Sequence, residues 1–481
     1  MLHFQGLPPD VIFSIFAFCD ICAVISTAQT CKHLHTLAFH RTVWFAFLDD
    51  LNRRHFLNDP NLRDLSTDEL LTMLKRLING PDTWALTQNE DFAPRIAQKI
   101  ILHPSITTGP GRDSENEAKL LPGGCHVLLG NWNSLECWSV AEDRLVWSRS
   151  PAVRTTSLLG FAAEVLDAAD NSIVVVLCGR IPVGVQNYLE IFRVNLLAGI
   201  SEVLFAVSTL DTEIYNFCGD PIVCGDLVAI PTRPQKDMYL IINWKTCSAL
   251  ILACDTPHST LRRRPGWSSQ IVILPNHLLL KTIADTGMDE IYVLALADFA
   301  PHWTRLSGPI VDLSTAVFLT PVPVTRLPKL VTQRMDLSGF GSNHTRVFYP
   351  PRSRVSVRED PLRPDVYRVW VYVAREDRPY QLLRATLHGY RLSCAPNGEV
   401  AWREYASAPT PDEMYHRAIT YSGHTLVTSD EVGHEIVAPT RTQARRTVEL
   451  VGDPWGHVDV AAYSGAITYP TFNSIVILYF E

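Results

Sequence analysis

Apolar positions change period along the chain. From Val11 they recur with helical spacing, at Val11, Ile12, Ile15, Phe16 and Phe18. Asp20 interrupts the run and is placed to cap a second helix carrying Val24, Ile25, Ala28 and Cys31. Leu34, Leu37 and Ala38 follow, then Val43, Trp44, Phe45, Phe47 and Leu48. The pattern predicts three short helices within residues 1–50. A core that small leaves apolar surface over, which implies a partner helix set. The stretch from Val11 to Ala28 is mostly apolar, but Asp20 sits in its middle and no Lys or Arg precedes it. Buried helices therefore fit it better than a membrane span or a signal peptide.

Residues 51–120 predict a helical linker. Ser66 and Glu69 form a capping box ahead of Leu70, Leu71, Leu74, Leu77 and Ile78, and Gly80-Pro81 supplies the stop. Pro104 to Glu117 reads as an exposed loop.

From 121 to 481 the period changes to that of strands separated by turns. Cys125 to Trp147 gives three strands with short turns. Further pairs are expected between Tyr188–Val194 and Glu202–Val207, Tyr239–Trp244 and Ala249–Cys254, and Ile291–Leu296 and His302–Leu306. Val366–Val373 is expected to pair with Gln381–Ala385, and Glu435–Pro439 with Thr447–Val451. A spacing of about 50 residues with several strands per unit predicts a β-propeller of six or seven blades. Pro309 to Pro364 reads as an insertion in one blade, with 350–364 as its exposed loop. The apolar strand Ser474–Phe480 is placed to pair with early strands and close the ring. The fold class expected is α+β multidomain: an N-terminal three-helix unit (1–50), a helical linker (51–120) and an all-β propeller-like domain (121–481).

Residues 7–48 resemble an F-box. The chain reads Leu7-Pro8-Pro9-Asp10, then Ile15-Phe16 and Phe18-Cys19-Asp20, then Thr30-Cys31-Lys32-His33-Leu34 and Val43-Trp44, at the family's spacing. Cys19 stands where Leu is usual, Ile21 and Ala23 where Pro and Asp are common, and Val43 replaces the Leu before Trp44. These changes keep the apolar pattern. With a propeller-like C-terminal half, the arrangement resembles the WD-repeat type of F-box protein, and Leu121-Pro122-Gly123-Gly124 is similar to divergent fungal members.

The resemblance implies the substrate-recognition subunit of a Skp–cullin–F-box ubiquitin ligase. Leu7, Pro8, Ile15, Phe16, Val24, Leu34 and Trp44 would bind the Skp adaptor, and the propeller would hold a protein client. Such a subunit is not an enzyme, needs no cofactor, and works in the cytoplasm or nucleus. Two alternatives remain open at this point: a non-degradative scaffold on the same adaptor, and a propeller hydrolase with an unrelated helical N-terminus.

Composition narrows the choice. The chain has 481 residues, 47% hydrophobic and 19% charged, with a net charge of −8. No basic excess points to nucleic acid. Eleven scattered cysteines fit a reducing compartment better than a disulfide framework, and a single N-x-T sequon at Asn343 does not reverse that.

Cys19 and Cys22, with Cys31, His33 and His35, have metal-like spacing. Their surroundings are apolar and helical, so buried thiols are the expectation and no metal site is assigned. No phosphate-cradling, zinc-protease or nucleophile-elbow motif occurs, and no catalytic residues are assigned. The carboxylates Asp211 and Glu213, and Asp289 and Glu290, read as solvated turn residues, although a propeller mouth could bring them together with others. Arg262, Arg263 and Arg264, followed by Trp267, form the favoured client-binding candidate, because Arg offers bidentate geometry to acidic groups. Arg441 to Arg446 is a second basic cluster. Trp132, Trp138, Trp147, Trp244, Trp303, Trp370 and Trp402 are expected to pack blades.

Overall fold

The computed structural model describes residues 7–481 except 58–60, 85–92, 107–115, 151–156, 168–170, 182–185, 211–215, 218, 234–237, 255–268, 284–288, 314–318, 336–351, 379–380, 396–397, 411–414, 430–432 and 440–444.

The N-terminal segment read as three helices divides into four: α1 (Pro9–Ala17), α2 (Ile21–Ala28), α3 (Lys32–Ala38) and α4 (Arg41–Arg53). Local capping sets the divisions. Asp20 Oδ1 accepts from the Ala23 amide at 2.7 Å. Cys31 caps α3 through its sulfur, which accepts from the Leu34 amide. His40 caps α4. Sequence periodicity does not see the cap at Cys31, because Cys is an uncommon capping residue. The last helix, α5 (Thr67–Asn79), carries the full Ser66–Glu69 capping box and ends at Gly80. Gly80 has φ +84°, a left-handed conformation that glycine adopts without strain.

The rest of the described chain forms seven sheets around one axis, a seven-bladed propeller whose blades are antiparallel apart from short parallel strands added to three of them. Blade 1 runs from Asn116–Leu120 through His126–Asn131 and Ser134–Ser139 to Arg144–Arg149. Blade 2 spans 157–210, blade 3 216–253, blade 4 270–334, blade 5 352–410 and blade 6 415–448. First strands of several neighbouring blades touch one another and line the axis.

Closure is made by chain ends. In blade 7 the order is Asp459–Val460, Ile467–Pro470, Ile475–Phe480 and then Ile96–Leu102, with Ile96 opposite Phe480 and Leu102 opposite Ile475. The C-terminal strand thus pairs with an early strand, as its apolar run predicted, and the pairing removes two exposed edges. The ring therefore takes in Ile96–Leu102 and Asn116–Leu120, which the sequence pattern placed in the linker and loop. Ile96–Leu102 is an outermost strand and mostly exposed, so it carries no inward-outward alternation to detect.

Core layers sit between blades. Val174 and Val176 face blade 3, whereas Ile173 and Val175 face blade 1. Both faces of such a strand are buried, which is why Ser172–Ile181 reads as an unbroken apolar run.

Three expectations are corrected, one of a pairing, one of an insertion and one of a loop. Ile291–Leu296 does not pair with His302–Leu306. Asp289–Ala295 lies between His277–Ile283 and Val331–Arg334. The segment after it leaves blade 4: Thr304–Arg305 pairs with the outer strand of blade 3, Ile310–Asp312 with that of blade 2, and Pro321–Pro323 with blade 3 again. The expected insertion is thus in part a strap over two open sheet edges. Within 350–364, Arg352–Glu359 is no loop but the axial strand of blade 5. Its alternating Arg and Ser residues hid it, because one of its faces is polar.

The helices dock on this ring. Arg54 Nη2 meets Glu359 Oε1 at 2.6 Å and Arg54 Nη1 donates to the Pro361 carbonyl at 3.2 Å. Arg76 donates to the Phe480 carbonyl. Phe56 packs edge-on to Tyr463 at 4.7 Å, and Tyr463 donates to the Glu359 carbonyl. Trp84, buried, joins the blade 6–7 core beside Phe480 and His424.

Candidate functional site

The first site is the surface of the N-terminal helices. Ile12, Phe16, Val24, Ala28, Leu34, Leu37, Ala38 and Val43 form their small core. Trp44 belongs to a second cluster that joins α4 to α5 and reaches Leu362 and Tyr463 of the propeller. Of the seven residues assigned to an adaptor, Phe16, Val24, Leu34 and Trp44 are therefore interior. Leu7, Pro8 and Ile15 lie at or near the surface. Sequence reasoning missed the most exposed members. Phe18 is 93% exposed, and Val11 and Ile25 are also exposed. Phe18 follows the end of α1, where the 3.6-residue repeat no longer says which side is buried. Pro8 sets the backbone direction into α1, with Pro9 at its first turn.

The second site is the axis of the propeller. Lys119 Nζ lies 3.1 Å from Glu117 and 3.7 Å from Asp220, and 4.5 Å from the centre of the Phe161 ring. Asp459, Arg354 and Arg358 add to the same electrostatic cluster. Burial pushes the Glu117 carboxyl up to about 7, against the pull of Lys119. These groups are enclosed by protein yet partly accessible to solvent. Of these groups Lys119, Arg358 and Asp459 line a cavity of about 1020 Å3 between helices and ring, bordered also by His55, Met73, Arg76 and Tyr463. The charges compensate one another, and the cluster holds no paired nucleophile and base. The polar positions in Asn116–Leu120 were the available sequence signal for it.

The other sequence candidates scatter. Arg262, Arg263, Arg264 and Trp267, the client-binding candidates, lie outside the described residues, as do Asp211, Glu213, Asn343 and most of 441–446. Asp289 and Lys281 form a fully buried ion pair at 3.5 Å, and Glu290 accepts from Tyr292 and Arg334, so both carboxylates are engaged within blade 4. Cys19, Cys22, Cys31, His33 and His35 do not converge. Among the described residues no group of three or more metal-capable side chains occurs. Trp147 and Trp370 are buried between blades.

Residues 4–48 match the F-box-like family model. The chain thus carries an F-box-like domain at its N-terminus, followed by a seven-bladed β-propeller. Comparison with curated proteins gives no match. Among solved structures, the WD40 domain of SCAP from fission yeast is similar at 10% identity, covering 77% of this chain and 82% of that one, with a TM-score of 0.41. No helix among the described residues is long and apolar enough to cross a membrane.

Proposed function

We propose that this chain is the substrate-recognition subunit of a Skp–cullin–F-box ubiquitin ligase, working in the cytoplasm or nucleus. Its F-box-like helices dock on the Skp adaptor, and its propeller presents a protein client. The observation that carries this reading is the apolar surface those helices leave open. Leu7, Pro8, Val11, Phe18 and Ile25 lie on 4–48, the residues that match the F-box-like model. An exposed aromatic on so small a helical unit suits insertion into a helical groove.

Within this reading Leu7, Pro8 and Ile15 touch the adaptor. Phe16, Val24, Leu34 and Trp44 support the helices that present them. The chain performs no covalent step. Its contribution is proximity, because a client held on the propeller meets the ubiquitin-charged enzyme at high effective concentration. The ion pair at Arg54 and the aromatic contact at Phe56 support a fixed distance between the two surfaces.

The test is co-purification of the full chain with the Skp adaptor, comparing wild type with Phe18→Glu. Stoichiometric binding lost in the variant is expected. A folded wild-type chain that does not bind the adaptor ends the ligase reading.

A further inference from the structure

Helix α4 ends in a Schellman turn. The His55 amide donates to the Asn52 carbonyl at 3.1 Å, and the Phe56 amide to the Leu51 carbonyl at 3.0 Å. Glycine is usual at the left-handed position of such a turn, yet His55 stands there with φ +59°. A side chain at that position strains the backbone, so the imidazole needs a reason.

The turn sets His55 on the wall of the cavity between helices and ring, whose volume of about 1020 Å3 is that of a large ligand pocket. Arg358, from the axial strand of blade 5, borders the same cavity. The two positions stand on neighbouring backbone, because Arg54, next to His55, bonds Glu359, next to Arg358. Arg358 Nε and His55 Nε2 are buried with no hydrogen-bond partner, and neither side chain makes another hydrogen bond among the described residues. Buried polar groups are ordinarily satisfied, and a guanidinium has five donors to place.

The other polar groups nearby are engaged. Lys119 Nζ donates to the Phe161 carbonyl at 3.2 Å and lies 3.1 Å from Glu117. Arg76 donates to the Phe480 carbonyl, and Glu359 is held by Arg54. Asp459 acts on Arg358 electrostatically, within an axial cluster of three cations and three acids. That cluster balances only while every acid is charged. Burial lifts the Glu117 carboxyl to about 7, so near neutral pH it takes up protons and cations are left in excess. The remaining lining includes apolar side chains, among them Phe56, Met73 and Leu121.

We infer that this cavity binds an amphipathic organic anion, whose oxyanion head is held by Arg358 and His55 and whose apolar body lies along Phe56, Met73 and Leu121. A guanidinium offers an oxyanion a two-pronged pair, and the imidazole adds a donor from the helical side. A ligand so placed joins the helices to the ring. The site stands whether or not the adaptor docks on the helices.

The test is a fluorescence titration of the full chain with 8-anilinonaphthalene-1-sulfonate, an aromatic anion with an oxyanion head. A saturable one-site rise in emission, displaced by decanoate, is expected. Arg358→Gln is expected to weaken binding at least tenfold. His55→Gly removes the ring and relieves the turn, so binding is expected to weaken at least threefold while the urea midpoint holds or rises. That variant carries the test should Arg358→Gln misfold by near-ultraviolet circular dichroism. Leu197→Ser, at an exposed leucine of blade 2, is expected to leave binding unchanged. No saturable binding by wild type, wild-type affinity in His55→Gly, or equal loss in the Leu197 control overturns the proposal. A lower urea midpoint in His55→Gly makes the ring a structural element and overturns its assignment. Displacement by inorganic phosphate as strong as by decanoate overturns the amphipathic assignment. Adaptor co-purification is unchanged in these variants, so this result and the ligase result fail separately.

Discussion

The F-box-like helices and the propeller solve the surface problem in opposite ways. The propeller hides its edges: Ile96–Leu102 closes the last blade, and Thr304–Arg305, Ile310–Asp312 and Pro321–Pro323 cover the rims of blades 2 and 3. The helices do the reverse, leaving Phe18, Val11 and Ile25 in solvent around a core of a few side chains. A ring of sheets with open edges invites pairing with other chains, so it must be capped. A helical unit too small to bury its own apolar residues is left with a surface suited to a partner. Damage to the propeller should therefore cost stability, and damage to the surface of the helices should cost binding.

The sharpest test of that contrast is Trp84→Ala. Trp84 comes from the helical side yet fills the blade 6–7 core against Phe480 and His424. Removing so large a buried aromatic is expected to cost about 3–5 kcal/mol, read as a lower urea midpoint.

His424 gives the next effect. It is buried beside Trp84, with Ser422 Oγ 2.9 Å from its Nδ1. Burial holds its imidazole down at about 4. Between the ordinary value of 6.5 and about 4 the unfolded chain binds a proton that the folded chain refuses. Stability from this group is therefore present above about 6.5 and lost as pH falls toward 4, by at most about 3 kcal/mol. Urea midpoints across that window should fall more steeply in wild type than in His424→Asn. Equal slopes would show that His424 titrates normally.

Arg54→Ala should be milder. The Arg54–Glu359 pair is partly exposed, so its loss is expected to cost about 1 kcal/mol or less. Helices and ring should then loosen without unfolding, seen as faster amide exchange in 41–57 with the blade strands unchanged.

The sequence made the architecture visible wherever a local rule operated. Ser66, Glu69 and Gly80 bound α5 as their spacing says, and Ser474–Phe480 declares itself a buried strand. What stayed hidden depended on distant partners. Arg352–Glu359 looks like a charged loop until its neighbours across the sheet are known. The proposed adaptor surface was half legible. The F-box resemblance located the helices, but helical spacing marked Phe16, Val24 and Leu34, which are core, and could not rank Phe18, which is exposed.

Phe18 separates stability from binding most cleanly. Being 93% exposed, its ring gives up little water contact on folding. Phe18→Glu is accordingly expected to move the urea midpoint by less than about 0.5 kcal/mol equivalent, the usual range for surface substitutions. A Phe buried in a partner groove, by contrast, is worth about 2 kcal/mol or more as an anchor, and a carboxylate there adds a desolvation cost. The same substitution should thus be silent in urea and abolish co-purification with the adaptor. A variant that loses stability without losing adaptor binding would place Phe18 in the fold rather than in the interface, and the contrast between the two regions would collapse at the residue that states it most strongly.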